Sequence, residues 1–467
     1  MSESSLRRAW KRRLGLMIRA SVVPTVLVAL APAADATSLL EAWQAAQVHD
    51  RVLAVARSEH AAAQTRRAQA SALWRPSVSI SGGVGVASAQ TKMNGAQFSA
   101  PGMGTSSGVD FATSINGGAS ARLAITAQQP LFDRSRETQR EQLTLTADMG
   151  EVAWHAAQQE AMLRTAERYF DLAVARERVR VVQRQHEAVV RAAQEAHDRF
   201  KLGDLPVTDT HEADAALASL QAQLAAAELD AAVKRQALSD STALAQPGAR
   251  LPPPGIAEVM QPMEHWLQAV EAGNVQLRLA QHAVQLARQG LRQYQGLAGT
   301  SVNLVAQAGH DVLTGSGNYG RASNRASNAM VGVQVVIPLY TGGMRTAQEK
   351  GAAHMLEKAL AQHDAAREQV AAQARAAWLG LQAGQSRVVA LEQALKASHA
   401  RLDATRVGQS VGDRTTLDVL NAENEYASAA LLLAEARSAQ VMTRLRLAAL
   451  ADELDEVLIA RLGASAP

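Results

Sequence analysis

The stretch that decides the fold reads Val411-Gly412-Asp413-Arg414-Thr415-Thr416-Leu417-Asp418-Val419-Leu420-Asn421-Ala422. One long helical pattern runs into it and a second runs out of it. The Gly-Asp pair breaks the first pattern. Thr415 or Thr416 can cap the second helix, because a threonine hydroxyl accepts hydrogen bonds from the open amides of a helix start. The stretch therefore predicts a helical hairpin with a tight tip over 411–418.

A second copy of this tip lies upstream, in Gly203-Asp204-Leu205-Pro206-Val207-Thr208-Asp209. The two Gly-Asp pairs are 209 positions apart, and Asp209 and Asp418 occupy the same place in the two copies. A repeat of this length sets the architecture of a whole chain. We therefore predict two structural repeats, 37–245 and 263–461, joined by a proline-rich linker over 246–262.

Each repeat is predicted to hold a helix, a pair of strands and a long helical hairpin, with tips at 203–209 and 411–418. The first helices are predicted over 38–73 and 263–297, and the strands over 76–87, 118–131, 300–309 and 328–339. The segments 88–117 and 309–328, rich in Gly, Ser and Asn, predict exposed loops. Residues 462–467 are predicted to form a disordered tail.

The strands are predicted from alternation along the chain. In the first of them Val78, Ile80, Val84 and Val86 fall on one face, while small and polar residues fall on the other. A run of about ten residues is long enough to cross a bilayer as a tilted strand. Four strands do not close a barrel, and an open sheet edge is not viable in lipid. A membrane-spanning role therefore requires several copies of the chain.

The hairpin helices are predicted from apolar residues spaced alternately three and four apart, as in a coiled coil. In the first hairpin this seam runs from Leu145 to Ala173, with one polar interruption at Gln159. At roughly 1.5 Å per residue, a helix over 133–201 is on the order of 100 Å long. Such helices on an exported chain would extend far from a membrane.

The first 36 residues predict a secretory signal. A basic stretch, Arg7 to Arg13, precedes an apolar run from Leu14 to Leu30 and small residues ending at Ala36. Arg19 interrupts the apolar run, which favours a cleaved signal over a membrane anchor. The chain has no cysteine, which excludes disulfides, thiolate metal sites and the lipid-bearing cysteine of a bacterial lipoprotein.

Charge gives no support for nucleic-acid binding. The formal net charge is +3, and most of the excess lies in the first twenty residues. One arginine-rich segment of the first hairpin is predicted to be a solvated helix face. Its members are Arg176, Arg178, Arg180 and Arg184.

The sequence matches enzyme motifs only in a few residue identities, without the structural context or the full set of residues that each motif requires. The run from Gly315 to Gly320 has dinucleotide-binding spacing, but it lies between two predicted strands with no helix following. His186-Glu187 and His211-Glu212 begin like a zinc-protease helix and lack its second histidine. No catalytic, cofactor-binding or metal site is predicted, and the chain is not expected to be an enzyme.

These features together resemble the TolC family of outer-membrane efflux and secretion channels. The resemblance rests on the repeat, the two Gly-Asp tips, and the strand pairs closed by Pro130-Leu131-Phe132 and Pro338-Leu339-Tyr340. It implies a mainly α fold with membrane β-strands, which trimerises into a 12-stranded barrel in the outer membrane and a 12-helix periplasmic tunnel. It also implies a periplasmic adaptor and an inner-membrane ABC or proton-driven transporter as partners.

The resemblance also assigns site residues. Asp418 matches the first of the acidic rings that narrow the tunnel, whereas Asn421 stands where the family often has a second aspartate. Arg414 matches an arginine that helps to hold the tip closed, with Asp413 and Asp209 as candidate partners. Residues implied in adaptor docking at the tips are Gly203, Asp204, Leu205, Gly412 and Asp413, and those at the barrel–tunnel junction are Pro76, Pro130 and Pro338.

Physical chemistry gives Asp418 two readings. Three copies around a narrow axis would raise one another's pKa, attract cations and hinder anions. The plainer reading is an exposed aspartate near a helix start, where the helix dipole favours it.

Three functions stay open. The missing lipid-attachment cysteine favours type I secretion of a protein toxin such as an RTX haemolysin, and the chain is also similar to components that export an adenylate cyclase–haemolysin toxin. The second function is multidrug efflux. The third, from another class, is an exported coiled-coil stalk, which explains the heptads but neither the four strands nor the matched repeat.

Overall fold

The computed structural model describes residues 37–102, 104–253 and 261–463, apart from the side chains of Phe98 and Thr416. In chain order its elements are α1 (Leu39–His49), α2 (Arg51–Ala72), β1 (Ser77–Ala100), β2 (Gly104–Asp133), α3 (Arg134–Leu202), α4 (Val207–Thr242), α5 (Met263–Gly273), α6 (Val275–Arg292), β3 (Ser301–Gly317), β4 (Gly320–Val336), α7 (Met344–Ser410), α8 (Thr416–Leu450) and α9 (Glu456–Gly463). The predicted signal, residues 1–36, lies outside the described residues.

The predicted repeat of a strand pair and a long helical hairpin is confirmed. The order α2-β1-β2-α3-α4 recurs as α6-β3-β4-α7-α8. The long helices α3 and α7 have 69 and 67 residues, and their partners α4 and α8 have 36 and 35. Each pair packs along its length, and α3 also contacts α8, which joins the two hairpins.

The four strands form one antiparallel sheet in the order β1-β2-β3-β4. Its register aligns Ile80 with Ile125, Ala308 and Ala329 across the sheet, so the predicted apolar faces of the strands merge into one surface. These apolar side chains are exposed in the subunit, and Val84 is 89% accessible. The opposite face is polar and carries an ion pair between Arg122 and Asp311, with Nε and Oδ1 2.5 Å apart.

The predicted loops over 88–117 and 309–328 are wrong, because both segments continue the strands. β1 and β2 pair out to Ala100 opposite Gly104, with bulges along the way, and β3 and β4 pair out to Gly317 opposite Gly320. Backbone hydrogen bonds alone can hold such a hairpin, so Gly-, Ser- and Asn-rich composition does not exclude it. The Gly315–Gly320 run spans the turn of the second hairpin, which is formed by Asn318 and Tyr319.

Each helix predicted before a strand pair is in fact two helices. Asp50 separates α1 from α2 and caps α2, with Oδ1 accepting from the amides of Val52 and Leu53 at 2.8 and 3.0 Å. Asn274 does the same between α5 and α6. A side chain that satisfies the open amides of a helix start lets the chain turn there at little cost.

The core lies where the short helices pack against the middle of the long ones. One cluster joins α1, α3, α4, α8 and α9 around the fully buried Trp43, Tyr169 and Leu445. A second joins α5, α6, α7 and α8 around Trp266 and Val370. The first cluster includes Leu462, which is 1% exposed, so the predicted tail is wrong at 462–463 and its remainder lies outside the described residues.

Candidate functional site at the helical tips

The two tips share one backbone geometry. Gly203 and Gly412 both have φ of +84°, a left-handed conformation that glycine adopts without strain. In each tip the glycine amide and the next amide bond back to the last turn of the long helix, which is the Schellman arrangement. The bonds are Gly203 N–Phe200 O (3.0 Å), Asp204 N–Arg199 O (2.9 Å), Gly412 N–Gln409 O (3.0 Å) and Asp413 N–Gly408 O (2.9 Å). The repeat therefore extends to individual hydrogen bonds.

The second tip ends in a reciprocal cap between Thr415 and Asp418. The Thr415 hydroxyl oxygen accepts from the Asp418 amide at 3.1 Å. Oδ2 of Asp418 accepts from the Thr415 amide and from the Thr415 hydroxyl, both at 2.9 Å. These two bonds lower the pKa of Asp418, as do the charges of Arg414 and Arg401. Of the two predicted caps, Thr415 is therefore the one used.

The first tip lacks this cap, although its backbone is the same. Pro206 stands in the place of Thr415 and makes no side-chain cap. Asp209, the counterpart of Asp418, donates its amide to the Pro206 carbonyl at 3.2 Å, and its carboxylate accepts from the Thr208 hydroxyl at 3.3 Å. The two aspartates thus share a position but not a set of partners.

Arg414 is exposed, and its aliphatic part lies over Gly408, where a Cβ would come within 2.7 Å of the Arg414 Cγ. Within the described part of one subunit, neither predicted partner, Asp413 or Asp209, is within ion-pairing distance of it. Leu205 of the first tip is half-buried and packs against Ala193, Ala196 and Ala213. Its packing closes the hairpin, whereas Gly203, Asp204, Gly412 and Asp413 are exposed.

A groove of about 320 Å³ lies between α3, α4 and the start of α8. Asn421 and Thr415 line it, together with three acidic residues, Asp209, Glu212 and Glu423. Sequence reasoning missed Glu212 and Glu423 as part of this site. The groove therefore carries acidic side chains although Asn421 is neutral, and Glu423 is paired with Arg406 at 2.8 Å.

Ion pairs tie the hairpins together. Within the second hairpin, α7 and α8 are joined by Arg401–Glu425, Arg406–Glu423 and Arg437–Glu392, at 2.5, 2.8 and 2.7 Å. Between the hairpins, α3 and α8 are joined by Arg178–Glu435 at 2.9 Å and Glu167–Arg446 at 3.5 Å.

The predicted solvated arginine face of α3 is confirmed, since Arg176, Arg178, Arg180 and Arg184 are all exposed, and the structure adds hydrogen-bond and ion-pair partners for them. Arg178 pairs with α8, and Arg180 pairs with Glu177 on its own helix. Arg176 donates to the carbonyl of Ala249 at 3.4 Å. A partner on α8 lies 257 positions from Arg178, which no local pattern reveals.

At the other end of the long helices, near the sheet, two arginines donate hydrogen bonds to backbone carbonyls of the segments that precede the strands. Arg136 in α3 donates to the Leu73 carbonyl at 2.8 Å, and Arg345 in α7 donates to the Tyr294 carbonyl at 3.0 Å. They are 209 positions apart, like the tips. The three prolines predicted here lie at the strand ends: Pro76 precedes β1, Pro130 is buried at a register shift near the end of β2, and Pro338 follows β4 against Gly299.

The part of the chain that the structure describes contains no helix long and apolar enough to cross a membrane. Across the same residues, no group of three His, Asp or Glu side chains could hold a metal ion.

Comparisons with known proteins agree with this architecture. The model of the family described as outer membrane efflux protein matches residues 42–244 and 266–452. Outer membrane protein TolC of Escherichia coli is 29% identical over 75% of this chain and 73% of its own length. The proteases secretion protein PrtF of Dickeya chrysanthemi is 24% identical over 94% of both chains. The crystal structure of VceC from Vibrio cholerae superposes with a TM-score of 0.68 at 19% identity, covering 89% of this chain and 97% of that one.

The two family segments coincide with the two structural repeats, and the likeness to VceC covers the sheet and the helical hairpins together. The protein is therefore a transport channel of the outer membrane rather than an enzyme, with its helical tunnel in the periplasm. The chain belongs to the outer membrane efflux protein family and is a TolC-type channel.

Proposed function

We propose that three copies of the chain form one duct, which exports a protein through the outer membrane by type I secretion. The observation that carries the proposal is the combination of an unclosed four-stranded sheet, apolar on one face, with two helical hairpins whose tips carry Asp209 and Asp418 in matching positions. Both outer strands, β1 and β4, have one edge unpaired in the subunit. An edge of this kind in lipid requires a partner strand.

The apolar surface of the sheet supports closure into a barrel. Val331 of β4 lies level with Val78 of β1 across the register. From this level the apolar side chains of β1 extend toward the hairpin turns, as far as Val86, whereas those of β4 extend toward the opposite end of the sheet, as far as Val335. The band therefore shifts by about two residues per strand, which corresponds to a strand tilt of roughly 50° for strands 4.8 Å apart. A closed barrel needs tilted, staggered strands. Three copies supply twelve strands.

Asp418 supplies the gate of this duct. In a trimer its carboxylates form a ring of three charges at the tip, with Asn421 one turn further on in place of a second acidic ring. Arg414 then pairs with a neighbouring subunit, since it lacks an acidic partner among the described residues of its own. The exposed turns at Gly203–Asp204 and Gly412–Asp413 receive a periplasmic adaptor, and an inner-membrane transporter of the ABC type supplies the energy.

The cargo follows from the full-length likeness to PrtF, which is named for the secretion of proteases. Within type I secretion, a protein toxin of the RTX haemolysin kind is the cargo implied by the similarity to components that export an adenylate cyclase–haemolysin toxin. Multidrug efflux is the second candidate, because the matched family is named for efflux. In this case the transporter is proton-driven.

Planar-bilayer recording of the purified trimer tests the gate. We expect discrete conductance steps that Mg²⁺ blocks from the tip side, and Asp418→Asn should abolish most of this block. Because Mg²⁺ carries two charges, its Coulomb attraction in water to one carboxylate 5 Å away corresponds to roughly 16-fold in affinity for each carboxylate lost. Three carboxylates then give about a 4,000-fold loss. Unchanged block in Asp418→Asn would remove the ring from the mechanism.

Exchange between export systems tests the cargo. The gene is placed in cells that lack the outer-membrane component of a protease secretion system, and in cells that lack that of a drug efflux pump. Restored protease in the medium with unrestored drug resistance supports type I secretion. The reverse result would assign the chain to efflux.

A further inference from the structure

We propose that Thr415 is a positioning residue of the gate, which fixes the orientation and the charge of Asp418. The inference rests on the proposed function, because it concerns the carboxylate assigned to the ring. It starts from a difference between the two carboxylate oxygens of Asp418. Both hydrogen bonds from Thr415 go to Oδ2, at 2.9 Å each. Among the described side chains, none donates to Oδ1, which leaves this oxygen for a cation in the duct.

The bonds to Oδ2 restrain the side chain at both ends. The Thr415 hydroxyl donates to Oδ2 while its oxygen accepts from the Asp418 amide, so the two residues lock each other. A free aspartate samples three staggered χ1 rotamers. The lock selects one of them, and the threefold symmetry of a trimer would then repeat this orientation around the axis.

The same bonds keep the ring charged. Carboxylates that face one another across a narrow axis raise one another's pKa. The amide and hydroxyl of Thr415 act in the opposite direction and lower the pKa of Asp418. Arg414 and, from α7, Arg401 act in the same direction as Thr415. Three further acidic side chains, contributed by α4 and α8, line the adjoining groove: Asp209, Glu212 and Glu423.

The first tip is a natural comparison inside the same chain. Asp209 occupies the place of Asp418, and the turn before it has the same hydrogen bonds. Pro206, in the place of Thr415, has neither an amide hydrogen nor a hydroxyl to offer. The repeat thus keeps the turn in both tips and places the cap only beside the residue of the proposed ring. A cap needed only for the hairpin would be expected in both.

The experiment measures Mg²⁺ block of single trimers in a planar bilayer, with Thr415→Val, Thr415→Ser and Thr208→Val channels beside Asp418→Asn. Thr415→Val removes the hydroxyl but keeps the amide bond to Oδ2, so it loosens the lock and should weaken the block by at most about 3-fold if one carboxylate binds the ion, and by at most about 30-fold if all three do, the limits set by one productive χ1 rotamer in three. The pH at which block is half lost should also rise. Thr415→Ser retains the hydroxyl and should restore both values, whereas Thr208→Val, in the uncapped tip, should change neither.

Two results would overturn the role of Thr415. In the first, Mg²⁺ blocks the Thr415→Val channel as strongly as the natural channel but fails to block Asp418→Asn. This result would keep the ring and exclude a role for the cap in it. In the second, Thr415→Val raises the resting conductance severalfold with the affinity for Mg²⁺ unchanged, which would mean that the cap holds the tip shut instead of orienting the carboxylate. If Mg²⁺ blocks Asp418→Asn as strongly as the natural channel, the Asp418 ring is refuted, and the role of Thr415 is refuted with it.

Discussion

The face of the sheet that meets lipid can be tested with two neighbouring residues of β1. Ile80 lies on the apolar face, is 67% exposed in the subunit and stands opposite Ile125. Ser79 precedes it on the other face, opposite Thr126. We expect Ile80→Arg to impair insertion into the outer membrane strongly, and Ser79→Arg, which adds the same charge one residue away, to be tolerated in a water-filled lumen.

The size of the effect follows from the depth of Ile80. The apolar run of β1 is centred near Gly82, so Ile80 lies about 7 Å along the strand from the centre, or roughly 4 Å in depth for a strand tilted by 50°. Arginine on the lipid face costs about 2–4 kcal/mol at the midplane and about 0–1 near the interfaces. A cost of about 2–3 kcal/mol per subunit corresponds to a factor of roughly 30–150. Three subunits multiply it in a trimer.

Refolding from urea into lipid vesicles measures this cost, with heat-resistant trimers counted on gels. The urea concentration at the midpoint of folding should fall markedly for Ile80→Arg and stay close to that of the unmodified protein for Ser79→Arg. Equal loss in both variants would refute the assignment of faces. No loss in either variant would refute a lipid contact for this part of the sheet.

Two further predictions concern stability. Asp50 is 3% exposed, caps α2 and accepts from Arg164 at 3.1 Å, so Asp50→Ala should lower the free energy of unfolding by about 3–5 kcal/mol, while Asp50→Asn, which can still cap, should cost less. Burial alone would raise the pKa of Asp50, but the hydrogen bonds from Leu53 and Arg164 outweigh it and lower the pKa. Its stabilisation is therefore present above the unfolded pKa and lost as pH falls through the folded one, and acid titration of Asp50→Asn should lack this part of the loss. Gly412→Ala, at φ of +84°, should cost about 1–2 kcal/mol and speed amide exchange at the end of α7, whereas alanine at the helical Gly380 should not.

Much of the fold could be predicted because it rests on local periodicity and on the repeat. The alternation around Val78 and Ile80 identified the apolar face, and the seam of α3 identified the helix and its polar interruption, Gln159. Gln159 is 6% exposed and donates to Asp452 at 2.5 Å. That partner lies 293 positions away, and nothing in the sequence near Gln159 indicates it.

The errors have two physical causes. The outer halves of the strand hairpins are held by backbone hydrogen bonds, which leave no apolar alternation in the sequence. The divisions at Asp50 and Asn274 depend on one capping side chain within an alanine-rich helical pattern. At the second tip, by contrast, a usable signal was present: Asp418 follows Thr415 by three positions, the spacing of a capping box, which selects Thr415 over Thr416.

Ion pairs determine which parts of the proposed gate can move as units. The second hairpin is tied internally by Arg406–Glu423, in which the glutamate side chain is only 13% exposed, and by two further pairs. The ties from α3 to α8 have no partner as buried as Glu423: Arg178 and Glu435 have side chains 44% and 38% exposed, and both partners of Glu167–Arg446 exceed half. Exposed ion pairs contribute about 0–1 kcal/mol each, so separating the two hairpins costs little ion-pair energy. Bending the second hairpin would break its more buried ion pairs and its coiled-coil seam. An adaptor that binds both tips could therefore swing the tip ends of α7 and α8 together away from α3, because the buried cluster that joins α3 to α8 lies at the other end of α8, over Val441–Ala448, and the cap at Thr415 would carry Asp418 outward without loss of its orientation.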